Sequence, residues 1–500
     1  MKRDAASERQ VQAAEPTAST WVSANAGSGK TRVLTDRVAR LLLEDVLPEQ
    51  ILCLTYTKAA ASEMQNRLFK KLGSWAMKPD VELHQELNML GVTARLTGPK
   101  LRQARTLFAR AIEAPGGLKI QTIHSFCAAL LRRFPLEAGV NPNFTEMDKQ
   151  AATKLQRDCV EQMAQSGDAA LVSHLANQIS SIDFEEICSD IIKQKSKFCR
   201  TPNADDIYAK LSLTAGFSFK DLLAQVFIGG EAALLQRLIS ELETGNITDK
   251  KNAKKLAFAN DKTLASLTIL EQVFLTGEGA RVPFSAKLGR FPTKKLQSGK
   301  LASDLPQIEN WMRRVEAARK IRLSLSTAEK TVVAGQFGQA FVQRYEAQKQ
   351  QRGWLDFDDL ILKARDLLTD PALAQWVLYR LDGGIDHILV DEAQDTSPIQ
   401  WQVIEKLTQE FTSGQGARHE INRTIFVVGD KKQSIYSFQG ADATEFDRVK
   451  QELHSKISAL GQPFQDLTLE YSFRSAKAIL QLVDCIFDQH KDSSFSKTLL

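Results

Sequence analysis

The residues of this chain with the most legible chemistry are a lysine behind a glycine-rich turn and two adjacent carboxylates behind an apolar run. The first group is Ala24, Asn25, Ala26, Gly27, Ser28, Gly29, Lys30 and Thr31. Gly27 and Gly29 let backbone N–H groups curl around phosphate oxygens, and Lys30 is spaced to reach β- and γ-phosphates. Thr31 offers its hydroxyl to Mg2+. The common form of this loop begins with Gly, where this chain has Ala24. The second group is Asp391 and Glu392, which follow Ile388, Leu389 and Val390. Asp391 suits a Mg2+ that bridges phosphates, and Glu392 suits the polarisation of an attacking water. Together the two groups predict hydrolysis of a Mg2+-bound nucleoside triphosphate.

Other segments bear on what that energy drives. Gln433 follows the apolar run ending in Gly429-Asp430 and is placed to sense a γ-phosphate. Tyr436 and Phe438 lie in the polar stretch beyond it. They read equally well as a base-stacking platform or as core aromatics. Thr55 and Thr57 offer hydroxyls to phosphates, and Tyr56 between them is able to stack on a base. Thr122 and His124 close another short apolar run. A lone histidine there commonly serves as a structural hydrogen-bonding group.

These residues need strands that end at one edge. The spacing predicts strands at Trp21 to Ser23, Ile51 to Tyr56, Lys119 to Thr122, His387 to Val390, Thr424 to Val428 and Leu467 to Tyr471. Helical spacing separates them, at Thr31 to Leu43, Lys58 to Leu72 and Ser125 to Phe134. This alternation predicts an α/β fold with a parallel sheet. From Pro135 to Arg352 amphipathic helical patterns dominate instead, including Ala151 to Ala164, Phe219 to Leu242 and Thr327 to Gln351.

Composition narrows the classes. With 43% hydrophobic and 25% charged residues the chain can bury a large core, which excludes disorder and fibrous classes. It has no run of 18 apolar residues and a polar first segment, so a cytoplasmic protein without a membrane partner is expected. The six cysteines have no C-x-x-C or zinc spacing and are expected to be scattered thiols. Between Lys250 and Lys300 stand 11 Lys and Arg against three Asp and Glu, so the formal +5 of the chain is concentrated in one block. Such a block suits a polyanion, although a solvated surface is the commoner origin of a single charge run.

The motifs in this order resemble superfamily 1 DNA helicases of the UvrD/PcrA/RecB type. They are G-K-T-R-V-L, T-Y-T-K-A-A-A-S-E-M, L-D-F-D-D-L, D-E-A-Q-D-T, G-D-K-K-Q-S-I-Y-S-F-Q-G-A and S-F-R-S, with matches from Gln10 to Ser475. Within that group the wording is nearest the AddA-type helicase–nuclease subunits of double-strand-break repair enzymes, in their alphaproteobacterial branch. The resemblance implies a P-loop, RecA-like lobe over 1–134 and 354–455, a large helical insertion over 135–353, and an incomplete second RecA-like lobe over 456–500. It implies that Gln10 reads adenine, that Arg32 flanks the nucleotide, and that Phe473 replaces an adenine-stacking Tyr. Gln433 would couple the γ-phosphate to DNA, and Arg474 would reach the γ-phosphate. Lys30, Glu392, Gln433 and Arg474 would then carry catalysis, with Thr31 and Asp391 on Mg2+. Thr55, Tyr56, Thr57, Thr122, His124, Tyr436 and Phe438 would line the DNA strand. Phe438, Gln439 and Ser472 stand where many relatives carry Trp, Arg and Asn.

The activity implied is an ATP-driven 3′-to-5′ translocase acting on single- and double-stranded DNA in break repair and recombination, paired with an AddB-type subunit. The family's fifth and sixth motifs and its nuclease domain do not occur before Leu500, so an N-terminal fragment is expected, with apolar faces beyond 455 partly exposed. The alternatives are a nucleotide-gated DNA-binding module that does not unwind, a stand-alone UvrD-like repair helicase and, more remotely, a P-loop kinase of small molecules.

Overall fold

The computed structural model describes residues 4–92, 96–178, 184–382, 384–412, 422–435 and 442–488. The chain divides into two compact units, residues 1–147 with 353–500, and residues 148–352.

The first unit is built on a six-stranded sheet. Its strands are β1 (Ser19–Ala24), β2 (Ile51–Thr55), β3 (Lys119–Thr122), β6 (His387–Val390), β7 (Thr424–Gly429) and β8 (Phe464–Leu469). Their order across the sheet is β3-β2-β6-β7-β1-β8, and every pairing is parallel. β2, β6 and β7 are buried along their whole length, as strands covered on both faces must be. Period-2 alternation divides their side chains between two cores. Trp21, Leu52, Leu54, Ile388, Val390, Ile425 and Val427 point into one. Val22, Ile51, Cys53, Leu389, Phe426 and Val428 point into the other. Trp21 anchors the first core, stacked 6.0 Å from Trp401 and edge-on at 4.7 Å to Phe446. A short parallel pair, β4 (Thr145–Glu146) with β5 (Trp354–Leu355), stands where the chain leaves this unit and re-enters it.

The expected strand at Leu467 to Tyr471 starts earlier, and it pairs with β1 from Ser19↔Phe464 to Ala24↔Leu469. The first unit's sheet therefore extends past the boundary placed at 455. The physical reason is that β1 is almost wholly buried, so its backbone groups need partners on both sides, and the edge passes to the more exposed β8. Beyond β8 the helix Lys477–Asp488 leaves Ile479, Leu482 and Ile486 half or more exposed.

The second unit is helical. Its core gathers around Trp311, with Phe274 at 5.3 Å and Phe227 at 6.1 Å. Trp311 lies on the 48-residue helix Leu305–Arg352, which absorbs the pattern read at Thr327 to Gln351. Glu271 is buried but accepts bonds of 2.6–2.8 Å from Arg319 and Arg322 on that helix. The single helix expected over Phe219 to Leu242 is two, Phe219–Val226 and Glu231–Glu243. Gly229 and Gly230 break it with φ of +125° and +84°, a backbone region that only glycine enters freely. Among the described residues no single helix is long and apolar enough to cross a membrane, and the six cysteines are free thiols.

Candidate nucleotide-hydrolysis site

A parallel sheet sends all its strand carboxyl ends to one edge, where ligands bind in open α/β folds. β1 ends at Ala24, β2 at Thr55, β3 at Thr122, β6 at Val390, β7 at Gly429 and β8 at Leu469. Each candidate group follows one of these ends, so segments hundreds of residues apart meet there.

The glycine-rich turn leaves β1 and opens the helix Lys30–Leu43. Gly27 and Gly29 have φ of +77° and +89°, and Gly29 is the residue that caps the helix. The Oγ of Ser28 donates to Asn25 O at 2.7 Å, closing the loop on itself. Ala24 is buried, Ala26 exposed and Asn25 half-buried. The segment after β8 lies on the loop: Phe473 N donates to Gly27 O at 2.8 Å. A methyl group added to Gly27 would sit 2.6 Å from Arg474 Cβ and 2.9 Å from Ser472 Oγ. Arg474 and Phe473 themselves are exposed. Arg32 is exposed too, 3.8 Å from Asp36.

The Lys30 ammonium is 3.0 Å from Glu392 Oε2 and 3.5 Å from Gln433 Oε1. The turn after β6 that delivers Glu392 holds it in the left-handed region, φ +48°. A non-glycine residue there stores roughly 1–3 kcal/mol of strain, a feature concentrated at functional sites. Gln433 donates in turn to Asp430 Oδ2 at 2.5 Å.

One organising residue lies inside the D-E-A-Q-D-T motif but is not among the site residues expected from the sequence. Gln394 is buried and donates to Glu392 Oε2 at 2.7 Å, while its Oε1 accepts from Asp430 N at 2.8 Å. It ties the general-base candidate after β6 to the turn after β7. Its place two residues beyond Glu392 is plain in the chain, but its partner beyond another strand is not.

Burial, and then the charge of Glu392, pushes Asp391 up to about 6. The same causes in the same order raise Asp395 to about 6. Such a carboxylate gains from a nearby divalent cation, which reverses the local balance of charge. Thr31 and Asp391 supply the oxygen donors that Mg2+ prefers, so the residues present fit the ion.

Gln10 comes to the loop from the helix Ala5–Ala13. Its Nε2 donates to Ser28 O at 2.9 Å, and its buried Oε1 has no hydrogen-bond partner among the described residues. The amide thus presents an acceptor, which matches the exocyclic amino group of adenine and opposes the carbonyl of guanine.

The residues expected along a DNA strand are placed more variously. Thr55 donates to Thr57 O at 3.0 Å. Thr57 caps the helix Lys58–Met77 by accepting from Ala60 N, and Thr122 caps Ile123–Arg133 by accepting from Ser125 N. All three hydroxyls are thus engaged in local structure, because each strand here turns directly into a helix. Tyr56 is half-buried. His124 meets Phe357 edge-on at 5.5 Å, and burial holds it below the usual histidine range. Tyr436, Phe438 and Gln439 lie outside the described residues.

A strand–loop–helix lysine with an acidic pair and Gln433 beside it, at one edge of a parallel sheet, defines a P-loop NTPase lobe. The chain belongs to the family of UvrD/REP helicase N-terminal domains, whose model matches residues 6–454. It is similar to the AddA subunit of the ATP-dependent helicase/nuclease of Levilactobacillus brevis, 28% identical over 510 residues, with 94% of this chain and 37% of that protein covered. The protein of the same name from Latilactobacillus sakei is 25% identical over 524 residues, covering 95% of this chain and 54% of the relative. That from Staphylococcus carnosus is 25% identical, covering 96% and 39%. The chain therefore spans between 37% and 54% of the length of these relatives.

Proposed function

We propose that this chain is the ATP-hydrolysing first motor lobe, with its helical insertion, of a 3′-to-5′ DNA helicase of the helicase–nuclease type. It acts in the cytoplasm in double-strand-break repair and recombination, beside a partner subunit of AddB type. The observation that carries the reading is the approach of Glu392 and Gln433 to 3.0 and 3.5 Å from the Lys30 ammonium at one sheet edge.

Lys30 exchanges Glu392 for the β- and γ-phosphates when ATP enters. Glu392, released from the ammonium, accepts a proton from the water that attacks the γ-phosphorus. The bond from that phosphorus to the β,γ-bridging oxygen breaks, giving ADP and phosphate. Gln433 parts from Lys30 in the same exchange and reports the event to the turn it shares with Asp430. Arg474, already beside Gly27, stabilises the charge that develops. Thr31 and Asp391 would hold Mg2+, which neutralises phosphate charge when bound. The exposed lysines 250, 251 and 254 of the second unit give it a duplex-binding face.

The test is ATP turnover with and without single-stranded DNA, on the chain and on the Lys30→Ala and Glu392→Gln variants. Stimulation by DNA, with turnover lost by roughly 100-fold or more in Glu392→Gln while nucleotide still binds, is expected. Nucleotide binding that alters DNA affinity without turnover would replace the motor with a nucleotide-gated binding module. DNA-independent turnover would remove the helicase reading.

A further inference from the structure

We propose that Arg37 and Arg40 are positioning residues that hold the Gln10-bearing segment against the phosphate loop and thereby set which purine the site accepts. The inference rests on the reading of Gln10 as the base-recognising residue.

Both arginines lie on the helix Lys30–Leu43, whose first turn forms the phosphate site. Their i, i+3 spacing puts them on one face. Arg37 Nη1 donates to Glu15 O at 2.5 Å and its Nη2 to Ala18 O at 2.6 Å. Arg40 Nη1 donates to Val11 O at 2.8 Å, and its Nη2 pairs with the Glu15 carboxylate. Two side chains of one helix thus pin the chain from Val11 to Ala18, directly after Gln10. The opposite side is tied as well: Arg9 donates to Thr468 O at 3.2 Å and pairs with Glu470.

Arg37 is fully buried. Its other bonds go to Thr424 Oγ1 at 3.0 Å and Thr20 Oγ1 at 3.3 Å, and its guanidinium lies 5.1 Å from the Phe426 ring centroid. Burial, and then the charge of Arg40, pushes it down to about 9. A buried cation is costly unless its donors are paired, and these four bonds serve Nη1 and Nη2, while Nε has no partner among the described residues. Two of its acceptors are the carbonyls of Glu15 and Ala18, so the segment and the arginine fix each other.

The consequence falls on Gln10. Its amide polarity is set by the bond from Nε2 to Ser28 O, which leaves Oε1 as the acceptor. That bond survives only while the segment keeps its height above the loop. With Val11 and Glu15 released, the amide gains freedom to rotate, and an amide that can present either end no longer distinguishes a 6-amino from a 6-oxo purine.

The experiment is equilibrium competition of ATP and GTP against a fluorescent ATP analogue on the full chain, reading the ratio of the two dissociation constants. The ratio is insensitive to the fraction of molecules folded, so a merely structural loss would not move it. Arg40→Gln is expected to lower the preference for ATP by about five- to tenfold, and Arg40→Lys to keep most of it. Glu15→Ala, which removes only the more exposed member of the pair, should give an intermediate loss and serves if Arg40→Gln does not fold. Gln10→Ala should abolish the preference. A wild-type ratio in Arg40→Gln and Glu15→Ala, with the preference lost in Gln10→Ala, overturns the clamp and leaves Gln10 as the reader. An unchanged ratio in Gln10→Ala overturns both.

Discussion

Lys30 illustrates how a residue's role depends on what it can exchange. In this structure its ammonium is satisfied by Glu392 at 3.0 Å, so phosphate binding must displace an existing ion pair rather than fill an idle charge. Gln394 holds Glu392 from the other side, and it joins that carboxylate to the backbone of Asp430. Removing it should leave Glu392 free to rotate out of line without disturbing the phosphate loop. Gln394→Ala is therefore expected to lower turnover by about tenfold or more, with nucleotide affinity within about twofold of the parent. Single-turnover hydrolysis beside equilibrium nucleotide binding checks this, and a parallel fall in both would assign Gln394 to folding alone. The sequence displays Asp391, Glu392 and Lys30 because charge and spacing mark them. Gln394 carries no such mark, since its importance lies in two partners, Glu392 and Asp430, that stand far apart in the chain.

At the scale of elements, the strand-to-helix turns decide what the threonines do. Thr57 and Thr122 sit immediately before their helices and accept from Ala60 N and Ser125 N. Either Thr→Ala change should cost about 1 kcal/mol of stability, and Thr→Ser should restore most of it. Urea unfolding of the four variants checks the caps. Reduced DNA affinity at unchanged stability would instead make the hydroxyls phosphate ligands. The strands themselves were legible, because buried parallel strands are continuous apolar runs, and β6 falls at His387–Val390 as the pattern predicts. The split of Phe219 to Leu242 was legible only in part. The apolar spacing runs on through both helices, and the break is set by the backbone of Gly229 and Gly230.

At the scale of the whole molecule, each unit carries its own test. In the first, His387 is buried and shares a 2.8 Å bond with Thr424 Oγ1. Burial, and then the charge of Arg37, pushes it down to about 3. The folded state keeps this imidazole neutral, whereas the unfolded chain protonates it below about 6.5. Its contribution to stability is thus complete above pH 6.5 and declines as pH falls towards 3, by at most about 1.4 kcal/mol per unit. His387→Gln should flatten the pH dependence of the urea midpoint between about pH 6.5 and 4, and an unaltered slope would assign the acid sensitivity elsewhere. In the second unit, Lys250, Lys251, Lys254 and Lys255 lie on the helix Ile247–Leu256, and Lys255 bonds to Gln272 at 3.4 Å. Reversing all four charges should weaken duplex binding and reduce its logarithmic salt slope by about 0.9 for each phosphate no longer neutralised. Duplex affinity with the parent slope would make this block a solvated surface.

The sequence by itself displayed the glycine-rich turn with its lysine, the acidic pair, most strands of the six-stranded sheet and a change from α/β to helical texture. These are local properties, written in residue type and in the periods of strand and helix. Only the tertiary structure decided that β8 closes the sheet beside β1, that Gln394 bridges two strand ends, and that Arg37 and Arg40 grip the Gln10 segment. Each of these depends on which strand lies next to which. Sheet order is fixed by the packing of buried faces and the pairing of edge backbone, neither of which leaves a periodic trace along the chain.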